Sequence, residues 1–264
     1  SISWLVKDAA RKDEKNSRMI KSQETEKAGE KMPAFFQDIE VFRGDGSRNE
    51  KGETLEEFLE NYDPYRYKNP CCTVDMAVFG YSGKDPENLE DLRILLIRRK
   101  NHPSIGDWAL PGGFIELKED LEVSAKRELF EETNIRNVCA EQIGVFGEVR
   151  RDPRARVITT AFMSLVCLDE VEAKAGDAAS DAAWFTITMN RQKEGEKLRY
   201  QIELQNEQNG VILRPKLTVL TNGTLIREQR IEIKNRGGLA SDHASILLLA
   251  CRKLCDRMKC AARE

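Results

Sequence analysis

Residues 113–135, GFIELKEDLEVSAKRELFEETNI, decide how the chain is to be read. The stretch fits G-x5-E-x7-R-E-L-x-E-E-x-N-I, running from Gly113 through Glu119, Arg127, Glu128, Glu131 and Glu132 to Asn134 and Ile135. A helix starting near Glu119 or Asp120 sets Glu128 and Glu132 on consecutive turns, with Glu131 beside them and Arg127 one turn from Glu131. Three carboxylates then share one face. Like charges so close repel, and hard oxygen ligands select a hard dication, so the pattern calls for Mg²⁺ or Mn²⁺. Val123, Ala125, Leu129 and Phe130 fall on the opposite face and are expected to pack into a core.

Upstream, an apolar strand-like run, LRILLIRRK (92–100), leads into HPSIGDWALPGG (102–113), where Pro111, Gly112 and Gly113 punctuate the chain before the helix. A turn of this kind brings backbone close to whatever the helix holds. These residues, with the flanking His102, Pro103, Gly106 and Trp108, resemble the box of the Nudix hydrolase family, G-x5-E-x7-R-E-U-x-E-E-x-G-U with U aliphatic. Only the final glycine departs, here Asn134, and asparagine is the next residue most tolerant of the left-handed conformation that caps a helix. The resemblance implies an α/β/α sandwich with a mixed sheet. It also implies that Glu128 and Glu132 coordinate the metal together with the Gly112 carbonyl, that Glu131 assists or binds a further ion, and that Arg127 orients the glutamates. Glu119 becomes an orienting or water-mediated partner. The general base varies within the family; Asp181, in GDAASDAAWF (176–185), is the first distant candidate and Asp177 the second, with Glu128 or Glu131 as the alternative.

Two further segments, RDPRARV (151–157) and LASDHASIL (239–247), are similar to the branch of that family containing ADP-ribose pyrophosphatases and NAD-metabolism regulators. By that resemblance Arg151 and Arg154 bind substrate, guanidinium forks being suited to phosphate oxygens. The leading expectation is Mg²⁺-dependent hydrolysis of a nucleoside diphosphate linked to another group, with ADP-ribose favoured. The alternative is a nucleotide sensor. In those regulators a DNA-reading winged helix would follow the closing helix, and about twenty residues come after Ser245, so hydrolysis leads.

With 264 residues, of which 40% are hydrophobic, the chain can bury a core. Its formal net charge of −3 gives no general support to nucleic-acid binding. Seven cysteines without a C-x-x-C pair point to reduced thiols, and no apolar run is long enough to span a membrane, so a cytoplasmic protein is expected.

Residues 1–53 read as a charged N-terminal arm followed by a docking segment, with Phe35–Val41 as a short strand or docking peptide. At Thr54 a T-L-E-E capping box opens a helix through Tyr62, and residues 54–264 form the domain. CCTVDMAVFGY (71–81), LRILLIRRK, NVCAEQIGVFGE (137–148), VITTAFMSLVCL (157–168) and DAAWFTI (181–187) read as strands. The closing helix, SDHASILLLACRKLCDRM (241–258), carries Ile246, Leu249, Ala250 and Leu254 at helical spacing. Between about 191 and 236 lies an insertion read as an antiparallel meander of three strands, turned at Asn209-Gly210 and Asn222-Gly223. A homodimer interface or a wall beside the active site is the role expected of it, against a purely decorative edge.

Overall fold

The structure is a computed structural model that describes residues 39–83, 85–171 and 179–261. The arm at residues 1–38 and Asp177 lie outside the described residues. Two compact units divide at Lys68/Asn69, so the Thr54-capped helix groups with the first unit rather than opening the second. In that first unit Glu40–Phe42 is a 3₁₀ turn, and residues 35–38 of the segment read as a short strand or docking peptide lie outside the described residues. Helix α1, Leu55–Asn61, has both arms of its capping box: Thr54 accepts from the Glu57 N–H, and the Glu57 carboxylate accepts from the Thr54 N–H at 2.8 Å.

The second unit is a sheet sandwiched between helices. Its strands are β1 (Cys71–Tyr81), β2 (Arg93–Arg99), β3 (Trp108–Ala109), β4 (Gly112–Phe114), β5 (Glu141–Phe146) and β6 (Val157–Cys167). They continue with β7 (Ala179–Glu194), β8 (Lys197–Asn206), β9 (Val211–Leu213), β10 (Lys216–Asn222) and β11 (Glu228–Asn235). The main path runs β11-β10-β8-β7-β2-β1-β6-β5. β1 and β6 are parallel from Cys71↔Val157 to Tyr81↔Cys167, and the other pairings are antiparallel, so the sheet is mixed.

β1 is covered on both sides, which explains why its sequence is nearly continuously apolar. Val74, Met76 and Val78 meet Ala125 and Leu129 of α2 (Leu121–Thr133). Ala77 and Phe79 point the other way, into the core closed by Ile246, Leu247 and Ala250 of α3 (His243–Ala261). The expected apolar stripe of α3 is wider than its helical spacing suggested, since Leu248 and Cys251 are also fully buried. Among the described residues no helix is long and apolar enough to cross a membrane.

α2 corrects one expectation. Val123 is 52% exposed, and Phe130 lies under the Arg136 guanidinium at 3.8 Å rather than in the core. The buried side is Ser124, Ala125, Leu129, Glu132 and Thr133. The helix therefore turns one of its glutamates inward with its aliphatic residues. Its end follows the reading: Asn134 is left-handed, φ 62°, and its N–H bonds the Phe130 carbonyl. Asn134→Ala, which places a Cβ in that conformation without a local polar partner, should cost about 1 kcal/mol in urea denaturation.

The insertion is also different from its reading. β7 continues unbroken through Glu194 and forms a hairpin with β8, so the polar run MNRQKE is strand. The middle strand is split into β9 and β10 at Arg214-Pro215, a proline being unable to donate to a ladder. Tyr200, Ile202, Leu204, Leu217 and Val219 enter the same core as α3. Residues 191–236 are thus part of the sheet and its core.

Candidate active site

Two glycines let a strand and a helix approach. β4 pairs with β1 through Asp75↔Gly112 and Val74↔Gly113, and it packs against α2. A Cβ on Gly112 would sit 2.2 Å from the Val74 carbonyl oxygen and 2.7 Å from Asp75 Oδ1. One on Gly113 would sit 2.3 Å from Glu128 Oε2. Real Cβ contacts are not so short, so the sequence needs glycine at both. In Gly113→Ala the neighbour that must move is a side-chain tip rather than backbone. The fold should then survive with a similar melting temperature in thermal unfolding, while the Glu128 carboxylate is displaced.

This approach brings three carboxylates close. The Gly112 N–H donates to Glu132 Oε2 at 2.9 Å. Burial, with lesser contributions from the charges of Glu128 and Asp75, pushes the Glu132 carboxyl up to about 8, and the Gly112 bond and Arg99 oppose it. Glu128 is also raised, first by burial and then by Glu131 and Glu119, against the pull of Arg127. Glu131 stands apart, with its side chain 54% exposed.

Arg127 organises the glutamates around it. Its Nε donates to both oxygens of Glu119 at 3.0 Å, Nη1 to Glu128 at 2.7 Å and to Glu131 at 3.4 Å, and Nη2 to the Phe114 carbonyl at 3.1 Å. Burial works against the charged guanidinium, and the bonds to Glu128 and Glu119 outweigh it. Glu119 is fixed from its other side by the Ser124 hydroxyl at 2.8 Å, which with Arg127 holds its carboxyl below the usual range.

Glu128 and Glu132 open onto a cleft of about 920 Å³, within the range of small-ligand sites. Its sides come from residues 99–104, 148–154, 233–236 and 240–243. Among the described residues no three His, Cys, Asp or Glu side chains form a ready metal-ligand group. The donor chemistry nonetheless fits a hard dication: two carboxylate-bearing turns face one cleft, and burial leaves Glu132 short of the positive charge that would ionise it.

The two arginines read as substrate ligands have different surroundings. Arg151 is buried, its side chain 5% exposed, and its Nε and Nη2 donate to the two oxygens of Asp242 at 2.8 Å each. Asp75 lies 3.7 Å from the same guanidinium. Arg154 reaches the cleft, bonded to Asp152 at 2.8 and 3.1 Å and lying 5.4 Å from the Phe114 ring centre. Asp181 does not line the cleft; the β2–β7 register sets it opposite Arg98, 3.9 Å away, on the exposed surface.

Sequence reasoning missed Asp75, Asp242 and His243 as parts of one polar cluster. The Thr159 hydroxyl donates to Asp75 at 2.6 Å, and His243 Nε2 is 3.6 Å from Asp75. The Leu110 N–H donates to His243 Nδ1 at 2.9 Å, which leaves the ring proton on Nε2, facing Asp75. An aspartate within the apolar run CCTVDMAVFGY was the available signal, since carboxylates are seldom buried without partners.

Comparison with known proteins agrees with this geometry. Residues 84–204 match the NUDIX domain. The chain is 40% identical over 111 residues to the ADPR responsive transcriptional repressor NtrR of Acinetobacter baylyi, covering 41% of this chain and 42% of that protein. It is 43% identical over 100 residues to the ADP-ribose pyrophosphatase of Methanocaldococcus jannaschii, covering 37% of this chain and 57% of that one. The chain thus spans about half the length of these curated relatives. Among solved structures, the NUDIX domain of Shewanella oneidensis NrtR complexed with ADP ribose superposes with a TM-score of 0.51 at 25% identity, over 76% of this chain and 99% of that one. A MutT/nudix family protein from Enterococcus faecalis superposes with a TM-score of 0.55 at 31% identity, over 77% of this chain and 70% of that one. A shared fold, a domain match and this level of identity over most of a solved relative lead to one conclusion: the chain belongs to the Nudix family.

Proposed function

We propose that the protein is a divalent-cation-dependent hydrolase that cleaves the diphosphate of a nucleoside diphosphate derivative, with ADP-ribose the favoured substrate. The observation that carries this reading is the pairing of Glu128 and Glu132 at one cleft, held by Gly112 and Arg127. The ADP-ribose pyrophosphatase relative and the ADP-ribose-complexed structural neighbour support the substrate class.

In this reading Glu132 and Glu128, with the Gly112 carbonyl, would hold Mg²⁺ or Mn²⁺, and Glu131 would assist at a further ion. The bound cation supplies charge neutralisation for the diphosphate and acidifies the attacking water. Arg127 fixes the direction of the Glu128 carboxylate, and Glu119 fixes Arg127. Glu128 is the base we favour, because of the described candidates, Glu128, Glu131 and Asp181, it alone lines the cleft. Arg154 lies on the adjoining wall and would bind a substrate phosphate. Arg151 acts through its position: tied to Asp242, it carries the loop bearing Arg150 and Arg154. The six described free cysteines are consistent with a cytoplasmic setting.

A second reading, a nucleotide-responsive regulator, is favoured by the relative named as an ADPR responsive repressor. One experiment separates the two. The purified protein with Mg²⁺ is given ADP-ribose, NAD, sugar nucleotides and nucleoside triphosphates, and products are followed by chromatography. Hydrolysis of ADP-ribose to AMP and ribose 5-phosphate is the expected result; tight ADP-ribose binding without turnover of any compound would favour the regulator.

A further inference from the structure

The cleft has a wall that the box chemistry does not use. Glu128 and Glu132 lie on the α2 side, whereas residues 233–236, from the end of the insertion, and the loop at 148–154 lie among the other lining segments. Most cations there have a counter-charge or an acceptor: Arg151 holds Asp242, Arg154 holds Asp152, Lys234 bonds Glu232 and Arg99 donates to the Pro103 carbonyl. Arg150 and Arg236 have no side-chain hydrogen bond or ion pair among the described residues, and both line the cleft.

Their backbones are fixed on one short segment. The Arg151 carbonyl, next to Arg150, accepts from the Ser241 hydroxyl, and the Arg151 guanidinium grips Asp242. On the other side the Arg236 carbonyl accepts from the Leu239 N–H, and the carbonyls of Gly237 and Gly238 accept from the N–H groups of Arg214 and Trp108. The N-terminus of α3, a 19-residue helix, adds its positive end to the same wall. Two guanidiniums that line one cleft without a counter-charge among the described residues leave positive charge for an anion to neutralise, and planar forks suit a phosphate.

We infer that Arg236 and Arg150 form an anion subsite that accepts a phosphate monoester carried by the substrate away from its scissile diphosphate. The insertion then selects a phosphorylated nucleoside diphosphate derivative over the bare one. This rests on the hydrolytic reading given above, and its test is arranged so that the two can fail separately.

The experiment measures kcat/KM for ADP-ribose, its 2′-phosphate and its 1″-phosphate, using wild type, Arg236→Ala, Arg236→Lys and Arg150→Ala with Mg²⁺. Charge-assisted hydrogen bonds of this kind are worth about a ten- to hundredfold preference. Wild type should prefer one phosphorylated compound by that factor, chiefly through KM. Arg236→Ala should lower kcat/KM on that compound at least tenfold more than on ADP-ribose, Arg150→Ala should do the same, and Arg236→Lys should recover part of the preference. Preference for the 2′-phosphate assigns the subsite to the nucleoside end, and preference for the 1″-phosphate to the other. Hydrolysis of all three compounds with equal kcat/KM would overturn the subsite and leave the hydrolytic reading intact. If none is hydrolysed, calorimetric Kd values for the same compounds decide: tighter binding of a phosphorylated one that Arg236→Ala removes supports the subsite, and equal affinity overturns it.

Discussion

Glu132→Gln is expected to lower Mg²⁺-dependent turnover of a nucleoside diphosphate substrate by a factor of about a thousand, the loss of several kcal/mol of charge stabilisation at the transition state. The same substitution should make the metal-free protein more stable in alkali. Glu132 is buried, and its carboxyl is raised from an ordinary 4.5 to about 8 in the folded protein. Below pH 4.5 it is protonated whether the chain is folded or not, and its contribution to stability is at its most favourable. Between 4.5 and 8 the unfolded chain releases the proton while the folded one keeps it, so stability falls as pH rises and levels off above 8. The fall amounts to at most about 4–5 kcal/mol, at about 1.4 kcal/mol for each pH unit. Thermal unfolding in chelator at pH 5 and pH 9 tests it: the wild-type melting temperature should drop between the two, the variant should drop less, and added Mg²⁺ should restore the wild type at pH 9. A variant as pH-sensitive as wild type would locate the alkaline loss elsewhere.

Arg151→Met should be the most destabilising single change in the cleft wall. Removing a guanidinium that is 95% buried by side-chain exposure would leave Asp242 facing Asp75 without it, and breaking a buried pair from one side costs about 3–5 kcal/mol. The double variant Arg151→Met, Asp242→Leu should regain part of that loss, because the orphaned carboxylate is gone. Urea denaturation of wild type, both singles and the double gives the coupling directly. If Arg151→Met were as stable as wild type, the arginine would be a free substrate ligand rather than the loop's anchor.

Much of the fold was legible because its elements are local. β1 coincides with CCTVDMAVFGY, where apolar β-formers run between polar flanks, and α2 starts after Asp120 and ends on a left-handed Asn134, as the spacing predicts. The orienting role of Arg127 follows from the family resemblance, and its partners lie on or beside one helix. The hidden parts are those settled between distant segments. Arg151 meets Asp242 across 91 positions, and no periodicity announces that contact. Asp181 faces Arg98 because of the β2–β7 register, which the residues around Trp184 do not encode locally. The helix face differs from its reading at Val123 and Phe130 because all three glutamates were set opposite the core, whereas Glu132 is turned inward by the Gly112 N–H and the glycine pair that admits it.

β7 ties residues 191–236 to the core. The strand carries both Phe185, in the central core beside Trp108, and the run to Glu194 that pairs with β8. A bolt-on module joined through a hinge could be excised and leave its host whole. Here the hydrogen-bond ladder and the hydrophobic layer cross the boundary without interruption, so trimming residues 191–236 would bare Ile187 and the α3 face together. These strands are structural timber: they cannot be shed, and the cleft they border is framed by sheet rather than by a flap.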